Sequence, residues 1–282
     1  MSSTMPSKNP VVLVTGASKG LGLEVARLLL EGNARIPAAN VVTLSRTLPD
    51  ELRRLGQQGG GRETSIESVQ GDVTSESDNE KAVGLAISKW GRLDGVVLNA
   101  GIIDFVRIAD KSPKDFMQEL NVNLVSLVTT LHYALPHLRK SPTGCGRVVF
   151  TSSGASTGNY AGWSAYNASK AGANALMRTL ANEEKSIAAW SVRPGVVATE
   201  MQALLRNSGK ESMDEAAYNK FITLHKEGKL VDPVEPAHVL AALAVRGTRS
   251  EPNAAGGGEG LGAEGAYVNW EDPALEAYRK QK

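Results

Sequence analysis

Apolar residues in this chain occur in two alternating patterns: short unbroken runs, and longer stretches in which they recur every three or four positions. The runs are "VVLVTG" (11–16), "NVVTLSR" (40–46), a third within "ESVQGDVT" (67–74), "LDGVVLNAG" (93–101), "GRVVFTSS" (146–153), "AAWSVRPG" (188–195) and "GAYVNW" (265–270). Continuous β-branched runs of this length fit parallel strands buried on both faces. Between them, "LGLEVARLLLEG" has helical spacing and closes at Gly32, and "SESDNEKAVGLAISKWG" is an amphipathic helix opened by Ser or Asp caps. A long helix is predicted from about Pro113 to about Arg139, and another around Tyr166 running to about Lys185. Repeated βα units predict an α/β fold: a Rossmann-type, doubly wound, seven-stranded parallel sheet with helices on both faces. No linker divides the chain. A single domain over 10–282 is expected, behind a flexible tail at 1–9. Two stretches break the rhythm: a charged, helical segment at 200–232 directly after a strand end, and a Gly-rich segment at 250–265 that reads as a mobile loop.

Composition narrows the function. The 282 residues carry a net charge of +1 with basic residues spread along the chain, which gives no support for a nucleic-acid or membrane-surface partner. Cys145 is the only cysteine, so no intrachain disulfide or cysteine-based zinc site can form. The four histidines make no metal-ligand pattern. A polar N-terminus and no apolar run of membrane-spanning length lead to the expectation of a cytoplasmic protein.

The first strand leads into "VTGASKGLGLEVA", where Gly16, Gly20 and Gly22 stand in a G-x-x-x-G-x-G pattern at the start of a helix. Glycines there permit a tight turn and close backbone approach to a pyrophosphate, at a helix end that favours anions. A glycine pattern alone is weak; its place between strand and helix makes Gly16, Ser18, Lys19, Gly20, Leu21 and Gly22 candidates for a dinucleotide site. The second strand ends in Ser45 and Arg46, where an NAD site usually carries an acid. A guanidinium suits a 2′-phosphate, and Lys19 could add a second positive charge, so NADP(H) is the expected cofactor. Asp72 and Val73 at the end of the third strand fall where the adenine edge would lie, although Asp72 could equally cap the next helix. Asn99, Ala100 and Gly101 end the fourth strand with small residues, and Asn99 could instead tie neighbouring strands together.

In "AYNASKAG" Tyr166 and Lys170 lie four apart, on one helix face, thirteen residues after Ser153. Any isolated pair of this kind is an ordinary surface pair. Here it follows "TGASKGLG", "GDVT", "LNAG", Asn123 in "NVNL" and Ser153 in "TSS", and precedes "RPGVVATEM". In this order and spacing the set resembles the short-chain dehydrogenase/reductase family over about residues 10 to 271. "TLANEE", "ATEMQ" and "NWEDPAL" are similar to the fungal benzil reductases, which in turn resemble sepiapterin reductases.

The resemblance implies roles that these side chains can support. Tyr166 would be the general acid, giving its proton to a carbonyl oxygen as hydride arrives from the nicotinamide. Lys170 would lower the phenol's pKa and bind the nicotinamide ribose. Ser153, favoured over Ser152 by its spacing to Tyr166, would hydrogen-bond the substrate oxygen. Asn123 would hold a water linking Lys170 to solvent. Pro194, Gly195, Val197 and Thr199 would face the nicotinamide carboxamide, unless Thr199 only caps the next helix. Ile103, Tyr160, Trp163, Met201 and Trp270 are candidate pocket residues, with Ile102, Phe105 and Leu204 near them. Their apolar character suggests a neutral, bulky or aromatic ketone or diketone, reduced at the expense of NADPH. At the place of the acid that anchors pterin in sepiapterin reductases this chain has Asn269. A sepiapterin reductase-like enzyme, a polyol- or steroid-type dehydrogenase and an NADP-sensing regulatory protein are the alternatives. A homodimer is expected, with a tetramer as the alternative, through helices whose small and apolar positions include Ala171, Ala175 and Leu176.

Overall fold

In the computed structural model, residues 6–57, 64–253 and 259–281 are described. Seven parallel strands form one sheet: β1 (Val11–Thr15), β2 (Asn40–Ser45), β3 (Ile66–Gln70), β4 (Gly95–Leu98), β5 (Gly146–Thr151), β6 (Ile187–Arg193) and β7 (Tyr267–Asn269). Their spatial order is β3-β2-β1-β4-β5-β6-β7, so the winding reverses between β1 and β4. Register follows from burial: Val12, Leu13 and Val14 pair with Val41, Val42 and Thr43 on one side, and with Gly95, Val96 and Val97 on the other. All seven predicted strands are present, each a residue or more shorter than its apolar run.

Helices cover both faces. One face holds α1 (Gly20–Glu31), α2 (Asp50–Gln57), α9 (Val234–Arg246) and the short α10 (Leu261–Glu264), joined in one apolar cluster with Val14, Val149, Trp190 and Val192. The other holds α3 (Glu76–Trp90), α5 (Ser126–Leu138) and α6 (Ser164–Glu183), packed on Leu13, Val96, Val148 and Phe150. Capping follows the chemistry of the first turns. Ser75 Oγ accepts the Asp78 amide at the start of α3, and Ser112 Oγ accepts the Asp115 amide at the start of α4 (Pro113–Leu120), with Pro113 at the first helical position. Asp72 is therefore not the cap of α3; its carboxylate accepts the Thr74 amide and hydroxyl.

Three expectations change, and the helical reading of 200–232 holds. The predicted long helix is α4 and α5 joined by a π-helical turn at Asn121–Val125. The 200–232 segment folds as α7 (Glu200–Ser208) and α8 (Glu215–Lys226). The mobile loop expected at 250–265 lies partly outside the described residues. Its end is α10, where Gly262 fits so tightly that a Cβ would stand 2.6 Å from the Trp190 ring and 2.4 Å from the Thr248 carbonyl. Of the expected loose tail, residues 1–5 lie outside the described residues, whereas Ser7 is fixed: its amide donates to the Trp90 carbonyl and its own carbonyl accepts Arg92. Among the described residues no helix is long and apolar enough to cross a membrane, and no group of three acidic, histidine or cysteine residues could hold a metal ion.

Candidate active site

A cavity of about 680 Å³ opens beyond the carboxyl ends of the strands, at the point where the winding reverses. Open α/β sheets form their ligand crevice there. Its floor is the loop after β1. Gly16 has φ +69°, and a Cβ on it would stand 2.8 Å from Ala100 Cα, so the loops after β1 and β4 close on each other only around glycine. Gly20 has φ +55° at the start of α1. Asn99 knits the floor together: its Nδ2 donates to the carbonyls of Thr15 (3.2 Å) and Gly16 (3.1 Å), and its Oδ1 accepts the Thr151 hydroxyl. Three strand ends are thereby tied by one side chain.

Most sequence candidates converge on this cavity. Gly16, Ser18, Lys19, Gly20 and Leu21 line it from the first loop, Ser45 and Arg46 from β2, and Asp72 and Val73 from the loop after β3. Asn99, Ala100 and Gly101 line it from β4, and Pro194, Gly195, Val197 and Thr199 from the turn after β6. Ser153, Tyr166 and Lys170 share its inner wall. Ile103, Tyr160, Trp163 and Met201, with Ile102 and Phe105, line the remaining part.

Four candidates stand elsewhere, of which Leu204 is exposed on α7 and does not line the cavity. Gly22 faces away from the cavity; a Cβ there would meet the Gly16 carbonyl at 2.3 Å and Asn99 Nδ2 at 2.5 Å, so this glycine serves the seating of α1 against the loop. Trp270 is buried in the core cluster below the β6 turn, 3.4 Å from the Cβ position of Gly195, and supports that turn instead of lining the pocket. Asn123 is fully buried behind the wall. Its Oδ1 accepts the Ile102 amide at 2.8 Å, and its Nδ2 donates to the Ile102 carbonyl (2.8 Å) and to Ser169 Oγ (3.2 Å). The π-helical turn aims Asn123 inward, where it fixes the loop after β4 to α6.

Two side chains govern the electrostatics of the wall. Burial pushes the Tyr166 phenol up to about 12; a hydrogen bond with Ser153 pulls it down, and the charge of Glu119 adds to the rise. Burial likewise lowers the Lys170 ammonium to about 7. The expected lowering of the phenol by Lys170 is thus not the dominant effect in the protein alone, because both groups sit in the same dry wall and each loses solvation when charged. Lys170 Nζ donates to the Thr151 carbonyl at 2.8 Å and lies 4.6 Å from the Phe150 ring and 5.6 Å from the Tyr166 ring, contacts that favour its charged form. Over the phenol, the hydroxyl of Tyr166 meets Met201 Sδ at 3.9 Å.

The far half of the cavity is aromatic. Trp163 stacks on Phe221 at 5.7 Å and 22°, and touches Tyr160, Phe105 and Tyr166 at ring separations of 4.8, 5.7 and 5.9 Å. Phe221, from α8, and Gln202, Leu205 and Arg193 line the cavity as well, and sequence reading passed over them. The sequence does hold a cue for Arg193, which immediately precedes Pro194. None marks Phe221, which arrives by the folding of α8 over the site.

At the cofactor end, Lys19 is held in an ion pair with Glu200 across the cavity mouth, so it is not the free second cation expected there. Arg46 is exposed at the end of β2, and the neighbouring Ser45 hydroxyl is buried without a partner among the described residues. Together with the glycine cradle, this end fits a dinucleotide phosphate group.

Fold and site together define an oxidoreductase of the nicotinamide-dependent kind. Comparison with known proteins agrees: the short chain dehydrogenase family profile matches residues 10–209. The chain belongs to the short-chain dehydrogenase/reductase family, whose members use NAD(P)(H). An uncharacterized oxidoreductase of Schizosaccharomyces pombe is 40% identical over 237 residues, spanning 83% of this chain and 90% of its own. A benzil reductase ((S)-benzoin forming) of Saccharomyces cerevisiae is 34% identical over 273 residues, spanning 94% and 97%. The crystal structure of a Saccharomyces cerevisiae short chain dehydrogenase/reductase superposes with a TM-score of 0.83 at 31% identity, covering 96% of this chain and all of that one.

Proposed function

We propose that this protein is an NADPH-dependent carbonyl reductase acting in the cytoplasm on bulky, aromatic ketones and diketones. The observation that carries the reading is the placement of Ser153, Tyr166 and Lys170 on one wall of a cavity whose other half is built from Trp163, Tyr160, Phe105 and Phe221. Similarity to benzil reductases supports a diketone. Arg46 at the end of β2, with no acid beside it, supports the 2′-phosphate of NADPH.

The first loop, Arg46, Asp72 and the turn at Pro194–Thr199 would hold the dinucleotide, with Lys170 toward its ribose. When bound, the reduced nicotinamide supplies a hydride and becomes oxidised. The substrate carbonyl oxygen would lie against the Ser153 and Tyr166 hydroxyls. As the carbonyl carbon gains the hydride, its oxygen takes the phenolic proton, yielding the alcohol and a phenolate. A phenol with a pKa of about 12 stays protonated at neutral pH, ready to donate. The phenolate left behind is stabilised by Ser153 and by protonated Lys170. Aromatic side chains exclude water and hold the substrate body by stacking.

The test is loss of reduced-nicotinamide absorbance with benzil and simple aryl ketones, using NADPH and NADH in parallel. Consumption of NADPH well above NADH with benzil is expected. Equal use of the two would sink the cofactor assignment, and no turnover across the carbonyls would sink the reductase reading. Arg46→Asp should raise KM for NADPH and narrow the preference.

A further inference from the structure

Arg193 ends β6 on the side of the sheet occupied by the catalytic helix. Strand alternation dictates this: Trp190 and Val192 join the core under α1 and α9, whereas Ile187 and Ala189 join the core under α6, and Arg193 continues the second series. Its guanidinium lies against Gly154, the residue after Ser153. A Cβ on Gly154 would stand 3.0 Å from Arg193 Nε, 3.1 Å from Cζ and 3.2 Å from Nη2, so glycine alone leaves it this place without displacement. Ser153, Gly154 and Arg193 all line the same cavity, so the guanidinium stands beside the residue that follows the hydroxyl expected to hold the carbonyl.

This cation differs from the others around the cavity. Lys19 is paired with Glu200, Lys170 is bonded to the Thr151 carbonyl, and Arg46 stands at the cofactor end on β2. Among the described residues the Arg193 guanidinium has neither an ion pair nor a hydrogen bond. Five donors in a fixed fork therefore remain available beside Gly154.

We propose that Arg193 is a specificity-determining residue that binds a carboxylate adjacent to the reacting carbonyl, making aromatic oxo acids the preferred substrate class. This rests on the carbonyl reductase reading and changes the neutral substrate expected from the apolar wall. A carboxylate accepts two charge-assisted bonds from the fork, whereas the second carbonyl of a diketone accepts a weaker, neutral-acceptor bond. The carboxylate takes no part in the reaction. The adjacent carbonyl carbon gains the hydride from NADPH, its oxygen gains the Tyr166 proton, and a hydroxy acid and oxidised cofactor result.

Three substrates sharing one ring test it: acetophenone, phenylpropanedione and phenylglyoxylate. In the wild type, kcat/KM should rise in that order. Arg193→Met should lower the ratio of phenylglyoxylate to acetophenone by about 10- to 100-fold, the size of one charge-assisted recognition, and the diketone ratio by less. Arg193→Lys should restore part of the acid's advantage, since it keeps the charge without the fork. A second arm needs no turnover: phenylglyoxylate binding to the protein with oxidised cofactor, followed by tryptophan fluorescence. Wild type should bind more tightly than Arg193→Met by a similar factor. Equal binding by the two proteins, or equal loss on all three substrates, overturns the proposal. Absence of turnover on every carbonyl would defeat the reductase reading, and the binding arm would still decide the role of Arg193.

Discussion

Lys170 and Tyr166 stand in one dry wall, and the ionised form of each is disfavoured there. An unfolded lysine keeps its proton up to about 10.4, the folded Lys170 only to about 7. Between these values the unfolded chain binds the extra proton, so stability rises with pH through this window and is flat below it. The melting temperature of wild type relative to Lys170→Met should therefore climb from pH 7 toward pH 10. Parallel profiles would show that burial does not control this ammonium. In catalysis the two residues separate. Tyr166→Phe should lower kcat by ~10²–10⁴ with NADPH affinity, read by fluorescence titration, nearly intact. Lys170→Ala should damage kcat at least as much and weaken NADPH binding as well. If Tyr166→Phe kept more than about a tenth of wild-type turnover with hydride transfer rate-limiting, another acid would serve. These residues were legible in the sequence because their chemistry demands fixed types at fixed spacing. The pairing of Lys19 with Glu200, 181 positions away, was not, because side-chain pairing across a cavity leaves no periodic trace. Trp270 misled for the same reason: an aromatic residue at a strand end looks the same whether it lines a pocket or props a turn.

At the scale of elements, the joint between α4 and α5 and the seat of α1 are the sensitive points. Asn123→Ala removes three hydrogen bonds from a fully buried position and leaves the Ile102 amide and carbonyl without their partner. At about 0.5–1.5 kcal/mol for each net bond, a stability loss of about 2–4 kcal/mol in urea denaturation is expected, with weakened turnover because the loop after β4 loses its tie to α6. A loss below about 1 kcal/mol would mean that the turn relaxes and water replaces the amide. Gly22→Ala should abolish dinucleotide binding, since its Cβ would collide with the Gly16 carbonyl and spread the loop; calorimetric titration with NADPH checks it. All seven strands were readable from apolar runs. The π-helical turn was not, because "NVNL" is compatible with ordinary helix and only the bonds to Ile102 force the wider turn. Helix α9 was passed over because "VEPAHVLAALAVR" is apolar nearly all round, and a helix buried on all sides shows no amphipathic stripe.

For the whole molecule, the outer face of α4, α5 and α6 is unusually apolar. Val125, Val128 and Met117 are 47%, 51% and 57% exposed, and Ala171 and Ala175 are exposed on the neighbouring helix. Such a face is expected to pack against its counterpart in a second copy. Light scattering should give twice the chain mass at micromolar concentration, and Val128→Asp should give the single-chain mass with the far-ultraviolet circular dichroism unchanged. A wild-type monomer would refute this assembly. The position of β1 between β2 and β4 bears on how the chain reaches this state. Val12 finds Val41 within one βα unit, but its other neighbour, Gly95, is synthesised only after two more strands have left the ribosome. Until then β1 offers an open, apolar edge, and the sheet grows outward from this seam on both sides. Contacts this distant in sequence slow folding and leave the nascent chain exposed to association. β5, β6 and β7 then add outward from β4, and the face of the seam packed on α1 is covered only when α9 (Val234–Arg246) has been made.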